Sequence, residues 1–426
     1  MLIEFSVANF LSFRDKRTLS LEATGIKDFK DTNLTKVGTH KILKSAIIYG
    51  ANSSGKTNLI RAASTMQRIV IQSAKQSSTD EIDVIPFLLR SETTESPSHF
   101  EILFFLEDKR YRYGFEVTTR AVTAEWLFET RKTKENLLFA RENDKIERTK
   151  HFTEGENLES KTRDNALFLA VADQFNGPLA GKIMRWFRQF ITISGLTHEN
   201  YRPITYTMLE NEETKPLMLD FFKKLDLGFE EVSIVKREFN PNEFLKQGLP
   251  DEIFSQMIRD LKGKTLVSAE TVHKKFTNTG AMVEPVKFDL NSQESAGTNK
   301  MFDLAGPIFD VLKTGGILWV DELDAKLHPL LTRAITLLFN SVEHNPRNAQ
   351  LVFATHDTNL LSHGNYRRDQ IFFTEKDQFG GTDLYSLIDY KENNKTIRKD
   401  RSFEKDYFQG RYGAIPFIGN IKKLLI

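Results

Sequence analysis

The chain has 426 residues, enough for one large core or two smaller ones, and its 40% hydrophobic content is ordinary for a globular protein. Its 59 basic and 58 acidic residues nearly balance, which excludes a globally basic nucleic-acid coat and leaves only local patches for such binding. Cysteine is absent, so disulfides, thiolate metal sites and cysteine nucleophiles are excluded. No apolar run approaches the length of a membrane span and the start lacks a signal-peptide pattern, so we expect a cytoplasmic protein without a membrane partner.

The first predicted elements lead to a glycine-rich loop. The run Ile3–Val7 alternates apolar and polar residues, which predicts a half-buried strand that enters a turn at Asn9-Phe10. After a polar stretch, the short apolar run Ala46–Tyr49 predicts a buried strand. Directly after it comes Gly50–Thr57, whose sequence GANSSGKT matches the pattern G-x-x-x-x-G-K-[ST] in full.

This loop has the residue types that a nucleotide phosphate cradle needs. Glycine lets the backbone curl so that successive N–H groups point at phosphate oxygens, and the following helix offers its positive N-terminus. Lys56 is expected to reach the β- and γ-phosphates, and Thr57 is expected to place its hydroxyl on Mg²⁺. The other residues predicted to contact the nucleotide are Gly50, Asn52, Ser53, Ser54, Gly55 and Asn58. A glycine-rich turn without a ligand is the alternative interpretation.

The remaining patterns divide the α/β chain into three predicted regions. In residues 1–164 an amphipathic helix opens at Lys56, and strand-like segments with short polar breaks follow it, which indicates an antiparallel meander. Residues 165–290 have mostly helical patterns, as in Leu217–Leu225 and Ile253–Leu261, and are predicted to be an insertion. Residues 291–426 return to apolar strands alternating with helices, as in a parallel sheet covered on both faces. The predicted meander strands are Phe100–Leu106, Arg110–Val117 and Val122–Phe128.

Small polar residues precede a helix at the start of the last region. Ser295 and Gly297 lie within the stretch Asn291–Lys300, just before a run with apolar residues on one side. Backbone N–H groups at a helix N-terminus form an anion site, so both residues are candidates for contact with a phosphate. Serine and threonine also cap many helices that bind no ligand, and an ordinary cap is the alternative.

Two carboxylates end the next buried strand. The run Ile317–Val320 predicts that strand, and Asp321 and Glu322 follow it at the end where α/β sheets place ligands. This pair looks like a Walker B element. Asp321 is expected to hold Mg²⁺ directly or through water, and Glu322 is expected to orient and deprotonate the attacking water. The alternative is an acidic turn after a core strand, which the phosphate loop upstream disfavours.

A histidine follows the next apolar strand, Leu351–Ala354. A lone histidine is usually structural or exposed at the surface. Because His356 ends the strand that comes after the carboxylate pair, its side chain is predicted to hydrogen-bond the γ-phosphate or the catalytic water.

Four motifs occur in a fixed order along the chain. They are the phosphate loop, Ser295–Thr298, Asp321–Asp324 and His356. This order resembles the ABC-type ATPase heads of the structural-maintenance (SMC) and RecF-like groups, in which the serine–glycine signature of one subunit completes the ATP site of its partner. The resemblance implies an ABC-ATPase-like P-loop NTPase fold, ATP and Mg²⁺ as cofactors, and a head-to-tail dimer, or a higher even oligomer, that shares its ATP sites. By this resemblance, Asp324 is similar to the D-loop residue that crosses the interface between the two subunits of the dimer. The catalytic residues that it implies are Lys56, Glu322 and His356.

A closer resemblance rests on motifs spread over nearly the entire chain. They are Asn9–Phe13, the phosphate loop, Glu294–Thr298, Asp321–Pro329 and Gln409–Pro416. Together they resemble the RloA/AbiL type of AAA-labelled ATPase, whose members are encoded beside a Toprim-like nuclease in bacterial anti-phage and abortive-infection loci; the ATPase of the PARIS system is similar. The resemblance implies a switch subunit that controls a separate effector, a Toprim-like nuclease. No Q-loop glutamine is identified, although Pro86-Phe87 lies near where that element would fall.

We expect no nuclease activity in the chain itself. OLD-type proteins, which overlap with this group, carry a Toprim domain after the ATPase, whereas too few residues follow the strand region Asp383–Tyr390 here to form one. Besides the nuclease, DNA or a phage protein is a candidate partner.

Two other functions stay open. The C-terminal part interleaves basic and aromatic residues, which is typical of surfaces that bind nucleic acid, so a RecF/SMC-like DNA-repair or DNA-end-binding ATPase is the main alternative. Its basic residues are Lys391, Lys395, Arg398, Lys399, Arg401, Lys405 and Arg411. Acidic residues interspersed in this stretch reduce its net positive charge, which favours an ordinary solvent-exposed surface over one that binds nucleic acid. The nucleotide-binding subunit of a transporter would need a membrane partner and a clear Q-loop.

Overall fold

The computed structural model describes residues 1–131, 133–240, 250–362, 364, 366–392, 395–396 and 401–415. The chain forms two compact units, one made of Met1–Thr197 with Ile308–Ile426 and the other of His198–Pro307. The phosphate loop, the carboxylate pair and His356 belong to the first unit, and Ser295 and Gly297 belong to the second. Each unit therefore holds a different part of the predicted site.

The elements are numbered in chain order. The strands are β1 Leu2–Ala8, β2 Arg17–Ser20, β3 Leu34–Val37, β4 His40–Leu43, β5 Ser45–Gly50, β6 Ser98–Leu106, β7 Lys109–Val117, β8 Val122–Arg131, β9 Lys134–Glu142, β10 Lys145–Arg148, β11 Phe190–Ser194, β12 Glu231–Glu238, β13 Thr265–Phe276, β14 Met282–Asp289, β15 Ile317–Asp321, β16 Gln350–Ala354, β17 Ile371–Lys376, β18 Thr382–Ser386, β19 Lys391–Glu392 and β20 Lys395–Thr396. The α-helices are α1 Lys56–Gln72, α2 Ser91–Thr94, α3 Phe168–Gln174, α4 Pro178–Arg188, α5 Arg202–Glu210, α6 Lys215–Lys224, α7 Asp251–Leu261, α8 Leu290–Gln293, α9 Ala296–Thr314, α10 Pro329–Asn340, α11 Asn359–Ser362 and α12 Phe403–Phe408.

The predicted antiparallel meander is confirmed and is larger than predicted. Its seven strands lie in the order β10-β9-β8-β7-β6-β1-β2, and neighbouring strands pair antiparallel. The first strand of the chain joins this sheet through pairs such as Phe5 with Ile102. Along β6 the buried residues alternate with partly exposed ones, because successive side chains of a strand point to opposite faces. One face of the meander therefore belongs to the core.

The predicted parallel sheet is also confirmed. Its six strands lie in the order β11-β15-β16-β5-β17-β18, and all neighbours are parallel except β17 and β18. The strand β5 is buried along its whole length between β16 and β17. Because parallel strands end at the same edge, the residues after β5, β15 and β16 meet at one edge of this sheet.

One apolar core joins the two sheets. The helix α1 contributes apolar residues at helical spacing, among them Leu59, Ala63, Met66 and Val70, and it contacts β1, β5 and β15. The helices α3 and α4 belong to the same core. Residues 165–197, which the sequence places in the insertion, thus supply α3, α4 and β11 to the first unit.

The second unit is not as helical as the sequence predicts. The predicted helices Leu217–Leu225 and Ile253–Leu261 are present as α6 and α7. The unit also contains the three-stranded antiparallel sheet β12-β13-β14, which the sequence analysis does not predict. Many residues of these strands are polar and exposed, so the period-two pattern of a strand is weak.

Candidate functional site

The phosphate loop connects the central strand of the parallel sheet to a helix. The strand β5 ends at Gly50, and α1 begins at Lys56. The N-terminus of α1 therefore lies at the carboxyl edge of the sheet, where backbone N–H groups can meet an anion.

Two glycines of the loop are required by its backbone geometry. Gly55 has a φ of 118°, in the left-handed region, and a side chain there would overlap Thr382. A Cβ atom at Gly50 would stand 2.5 Å from the Thr374 hydroxyl oxygen. Ser53 also has a positive φ, 63°. The loop is therefore tightly curled and closely backed by other strands.

Lys56 points into the loop. Its ammonium donates hydrogen bonds to the carbonyls of Gly50 at 2.8 Å and Ala51 at 3.0 Å, and the residue is only 6% exposed. Burial lowers the pKa of Lys56, and Asp321 and Glu322, with Asp324, oppose that decrease. A cation is thus held inside the curl of the loop and interacts with the carboxylates after β15.

The predicted nucleotide contacts divide into exposed and buried side chains. Asn52, Ser53 and Thr57 are exposed, so their side chains are open to a ligand. The Ser54 hydroxyl is buried and lies 2.6 Å from the Thr374 hydroxyl. The Asn58 amide donates a hydrogen bond to the Ser12 hydroxyl at 2.8 Å. The side chains of Ser54 and Asn58 therefore brace the loop.

Asp321 provides an oxygen suited to a cation. The first four residues of β15 are buried, and Asp321 ends the strand. Its Oδ1 atom is buried and has no hydrogen-bond partner in the described part of the chain. A buried carboxylate oxygen needs a compensating partner, and a divalent cation supplies one.

Asp321 and Thr57 offer oxygen atoms, the type of ligand that Mg²⁺ prefers. Within the described ranges, no group of three or more acidic or histidine side chains forms a metal cluster. Mg²⁺ usually keeps several waters and takes one or two carboxylates together with substrate phosphates. Asp321 and the exposed Thr57 hydroxyl are the protein groups that would hold it.

Glu322 lies in a backbone conformation that is uncommon for glutamate. Its φ is 51°, in the left-handed region. The next residue, Leu323, donates its N–H to the carbonyl of Ala354 at the end of β16, at 3.1 Å. The turn after β15 is therefore tied to the neighbouring strand, which fixes where the Glu322 side chain begins.

His356 lies in the same site as Lys56 and the carboxylates. His356 is exposed to solvent on one side, and partial desolvation followed by the neighbouring Lys56 lowers its pKa, while Asp324, Glu322 and Asp321 oppose that decrease. The backbone N–H of His356 donates to both carboxylate oxygens of Asp324 at 3.3 Å. The structure thus brings the side chains predicted from three separate strands together at one edge of the sheet.

A glycine that the sequence analysis missed lies against the carboxylate turn. The strand β11 pairs with β15, and Gly195 follows it. The N–H of Gly195 donates to the carbonyl of Asp321 at 2.7 Å. A Cβ atom there would stand 2.7 Å from this carbonyl oxygen and would also overlap the carbonyl of Glu322. The short run Phe190–Ser194, which largely alternates apolar and polar residues and is followed by glycine, is the signal that could have indicated it.

Replacing Gly195 with alanine is therefore expected to displace Glu322. We expect the variant to lose about 1–3 kcal/mol of unfolding free energy, the usual cost of overpacking, and to hydrolyse ATP more slowly. Chemical denaturation and a phosphate-release assay measure the two effects. Gly25→Ala is the matched control, because nothing lies within 4 Å of the Cβ position at Gly25. Equal stability and activity in the two variants would contradict the assigned contact.

In the second unit Ser295 directly precedes the helix α9. Its hydroxyl accepts a hydrogen bond from the N–H of Thr298 at 3.1 Å, as in an ordinary helix cap, and Ser295 itself is exposed. Gly297 is partly exposed in the first turn of the helix. The geometry agrees with a cap and leaves the N-terminus of this long helix open to an anion.

Side chains of the second unit contact α9 and the segment just before it. Arg202 of α5 lies 2.5 Å from Asp303 and donates to Asn299 at 2.9 Å. His273 of β13 lies 2.6 Å from the carboxylate of Glu294, the residue before Ser295. The three-stranded sheet and α5 therefore fix the start of this helix.

The C-terminal part lies against the loop that carries His356. The hydroxyl of Tyr49 donates to the carbonyl of Asp357 at 3.0 Å, and the Tyr49 ring packs 5.8 Å from that of Tyr407 in α12. Thr358 donates to the carboxylate of Glu404 at 3.1 Å. This part of the chain thus supports the edge of the site.

The structure gives two of the C-terminal basic residues an internal partner. Arg401 and Arg411 lie 2.6 and 3.6 Å from the carboxylate of Asp406, to which Tyr412 also donates. These contacts favour a structural role for both arginines over contact with DNA. Arg398 and Lys399 of the basic stretch and Pro416 of the last motif lie outside the described residues.

The segment where a Q-loop would fall is held by the first motif. Asn9 accepts a hydrogen bond from the N–H of Phe87 at 3.0 Å, and its amide donates to the carbonyls of Thr93 and Ser96. Phe87 is fully buried. Asn9 therefore orders this segment, which explains one residue of the motif Asn9–Phe13 without a ligand.

A family model described as "AAA domain, putative AbiEii toxin, Type IV TA system" matches residues 45–171 and 219–362, more than half of the chain. Among solved structures, the SMC head domain from Thermotoga maritima is similar, with 12% sequence identity and a TM-score of 0.40; the match covers 90% of this chain and 98% of that one. Comparison with curated protein sequences gives no match. In the described part of the chain, no helix is both long and apolar enough to cross a membrane. The extent of the family match shows that the chain belongs to the AAA-domain family of the AbiEii-toxin type.

Proposed function

We propose that this chain binds and hydrolyses ATP with Mg²⁺ and acts as a switch subunit. The observation that carries the proposal is the meeting of Lys56, Asp321, Glu322 and His356 at the carboxyl edge of one parallel sheet, around a curled loop at a helix N-terminus. Membership of an AAA-domain family, which implies nucleotide binding, supports it.

Each residue of the site would have a separate role in ATP binding or hydrolysis. The loop N–H groups and Lys56 would hold the β- and γ-phosphates, with Lys56 exchanging its contacts to Gly50 and Ala51 for phosphate oxygens. Mg²⁺, held by Thr57 and Asp321, would neutralise charge that builds up on the phosphates. Glu322 would take a proton from the attacking water. The water oxygen would bond to the γ-phosphorus, and the bond between that phosphorus and the oxygen that leaves with ADP would break. His356, whose lowered pKa favours the neutral ring, would hydrogen-bond the γ-phosphate or that water.

We further propose that two chains share each ATP site. The exposed Ser295 at the N-terminus of α9, together with Gly297, would contact the γ-phosphate bound by the partner chain. Support comes from the motif order and from the exposure of Ser295 at this helix end. The assembly would be a head-to-tail dimer or a higher even oligomer.

Mixing two inactive variants tests the shared site. In a head-to-tail dimer, Lys56→Ala paired with Ser295→Arg leaves one complete site, because the intact loop of one chain faces the intact serine of the other. We expect each variant alone to be inactive and a 1:1 mixture to regain on the order of a quarter of wild-type ATPase activity, since half of randomly formed dimers are mixed. Mixing two batches of Lys56→Ala is the control. A mixture as inactive as its components would show that each chain works alone.

The switch would control a separate effector in anti-phage, abortive-infection defence, and a Toprim-like nuclease is the proposed partner. The AbiEii-toxin-type family description supports a role in this class of systems. Co-expression of the chain with the product of an adjacent Toprim-like reading frame tests the pairing. ATP-dependent copurification would support it, whereas DNA cleavage by the purified chain alone would contradict a separate nuclease.

A further inference from the structure

We propose that Thr382, the first residue of β18, is a positioning residue that sets the shape of the phosphate loop for nucleotide binding. The inference rests on the proposed ATP site and adds a residue to it. Neither the loop pattern nor the neighbouring strands indicate this residue, because it lies 328 residues after Ser54 in the sequence.

Thr382 contacts the loop through both its hydroxyl and its methyl group. Its Oγ1 atom lies 2.9 Å from the carbonyl oxygen of Ser54. Its methyl carbon would stand 2.5 Å from a Cβ atom at Gly55, so only glycine allows this approach. Thr382 is 3% exposed, which places the contact in a closely packed environment. The side chain therefore fits against the last peptide before α1.

The hydrogen bond to Ser54 has a consequence for the next N–H group. In a trans peptide, the carbonyl of one residue and the N–H of the next share a plane and point in opposite directions. Because the Ser54 carbonyl points at Thr382, the N–H of Gly55 must point away from β18. Thr382 thus orients one of the backbone donors that a phosphate would use.

A second hydroxyl holds Thr382 in place. The Ser12 Oγ atom lies 2.7 Å from the Thr382 hydroxyl, and the N–H of Thr382 donates to the carbonyl of Ser12 at 2.7 Å. Ser12 also accepts the bond from Asn58 in the first turn of α1. The start of the chain, β18 and the beginning of α1 are therefore joined behind the loop. This arrangement gives Ser12 of the motif Asn9–Phe13 a role.

The test compares three threonine substitutions. Thr382→Val keeps the volume and removes the hydroxyl, and Thr382→Ser keeps the hydroxyl. Thr332→Val is the matched control, because Thr332 is fully buried in α10 and its hydroxyl has no partner within the described residues. Binding of MgATPγS is measured by calorimetry, and ATP turnover by phosphate release.

We expect Thr382→Val to bind MgATPγS about threefold to tenfold more weakly than wild type, the value of one or two hydrogen bonds. The effect should appear in KM, with kcat at saturating ATP close to wild type, because the contacts of Thr382 are with Ser12, Ser54 and the Gly55 position and the proposed base is Glu322. Thr382→Ser and Thr332→Val should bind as wild type. Amide exchange of residues 51–58 in the free protein should be faster in Thr382→Val than in Thr332→Val.

Wild-type affinity and wild-type amide exchange in Thr382→Val would overturn the inference. If Thr382→Val folds poorly, Ser12→Ala replaces it, and unchanged affinity there would overturn the inference equally. A fall in kcat with unchanged KM would also contradict it, because it would place the effect on catalysis. If the wild-type chain itself neither binds MgATPγS nor hydrolyses ATP, the proposed function fails, and that result is distinct from a failure of Thr382 alone.

Discussion

Lys56→Ala is expected to abolish ATP hydrolysis and to weaken ATP binding severely. The ammonium lies inside the loop, 2.8 Å from the carbonyl of Gly50, and it interacts with the charges of Asp321 and Glu322. Removing a charged group that is fixed beside the reacting phosphates usually costs about 10²–10³-fold in kcat. A phosphate-release assay and calorimetry with MgATPγS measure the two losses.

Lys75→Ala is the control for this variant. Lys75 is exposed just after the other end of the same helix, so its removal changes the net charge equally without touching the loop. Circular dichroism establishes that both variants are folded. Turnover by Lys56→Ala at the wild-type rate would defeat the assignment of the phosphate loop.

Glu322→Gln is expected to slow hydrolysis and leave ATP binding intact. The amide keeps the size of the side chain and can still hold a water, but it cannot accept a proton from that water. Loss of a general base usually costs about 10²–10⁴-fold in rate. Single-turnover hydrolysis separates this chemical step from binding, which the same calorimetric titration follows.

Glu343→Gln is the control for Glu322→Gln, because it makes the same chemical change at an exposed residue. We expect it to bind and hydrolyse ATP as wild type does. If Glu322→Gln hydrolysed ATP within about threefold of the wild-type rate, a role as general base would be excluded. If it lost ATP binding instead, the carboxylate would belong to the binding machinery. Either result would require another group to activate the water.

The centre of the site was predictable because its signals are local. The loop motif places Lys56 directly after a short apolar strand, and Asp321-Glu322 ends a second one. Parallel strands end at one edge of a sheet, so two buried strands followed by chemically suitable residues already indicate a common site. In the structure β16, the strand that precedes His356, lies between β5 and β15 and pairs in parallel with both, so all three strands end at the same edge.

The supports of the site were not predictable because their contacts are distant in sequence. Thr382 and Thr374 brace the loop through single hydroxyls, and nothing in their own segments distinguishes them from ordinary strand threonines. Gly195 follows a strand of five residues that begins just after the helix α4, whose last turn contains Trp186 and Phe187. Short runs of this kind are ambiguous between helix and strand, so the edge strand and its glycine were missed.

The central claim is that ATP binding joins two chains at shared sites, and light scattering of Glu322→Gln tests it most directly. This variant should hold ATP without consuming it. We predict that its mass doubles, or reaches a higher even multiple, when MgATP is added, and that the double variant Lys56→Ala/Glu322→Gln keeps the mass seen without nucleotide. The same mass for Glu322→Gln with and without saturating MgATP would contradict the account.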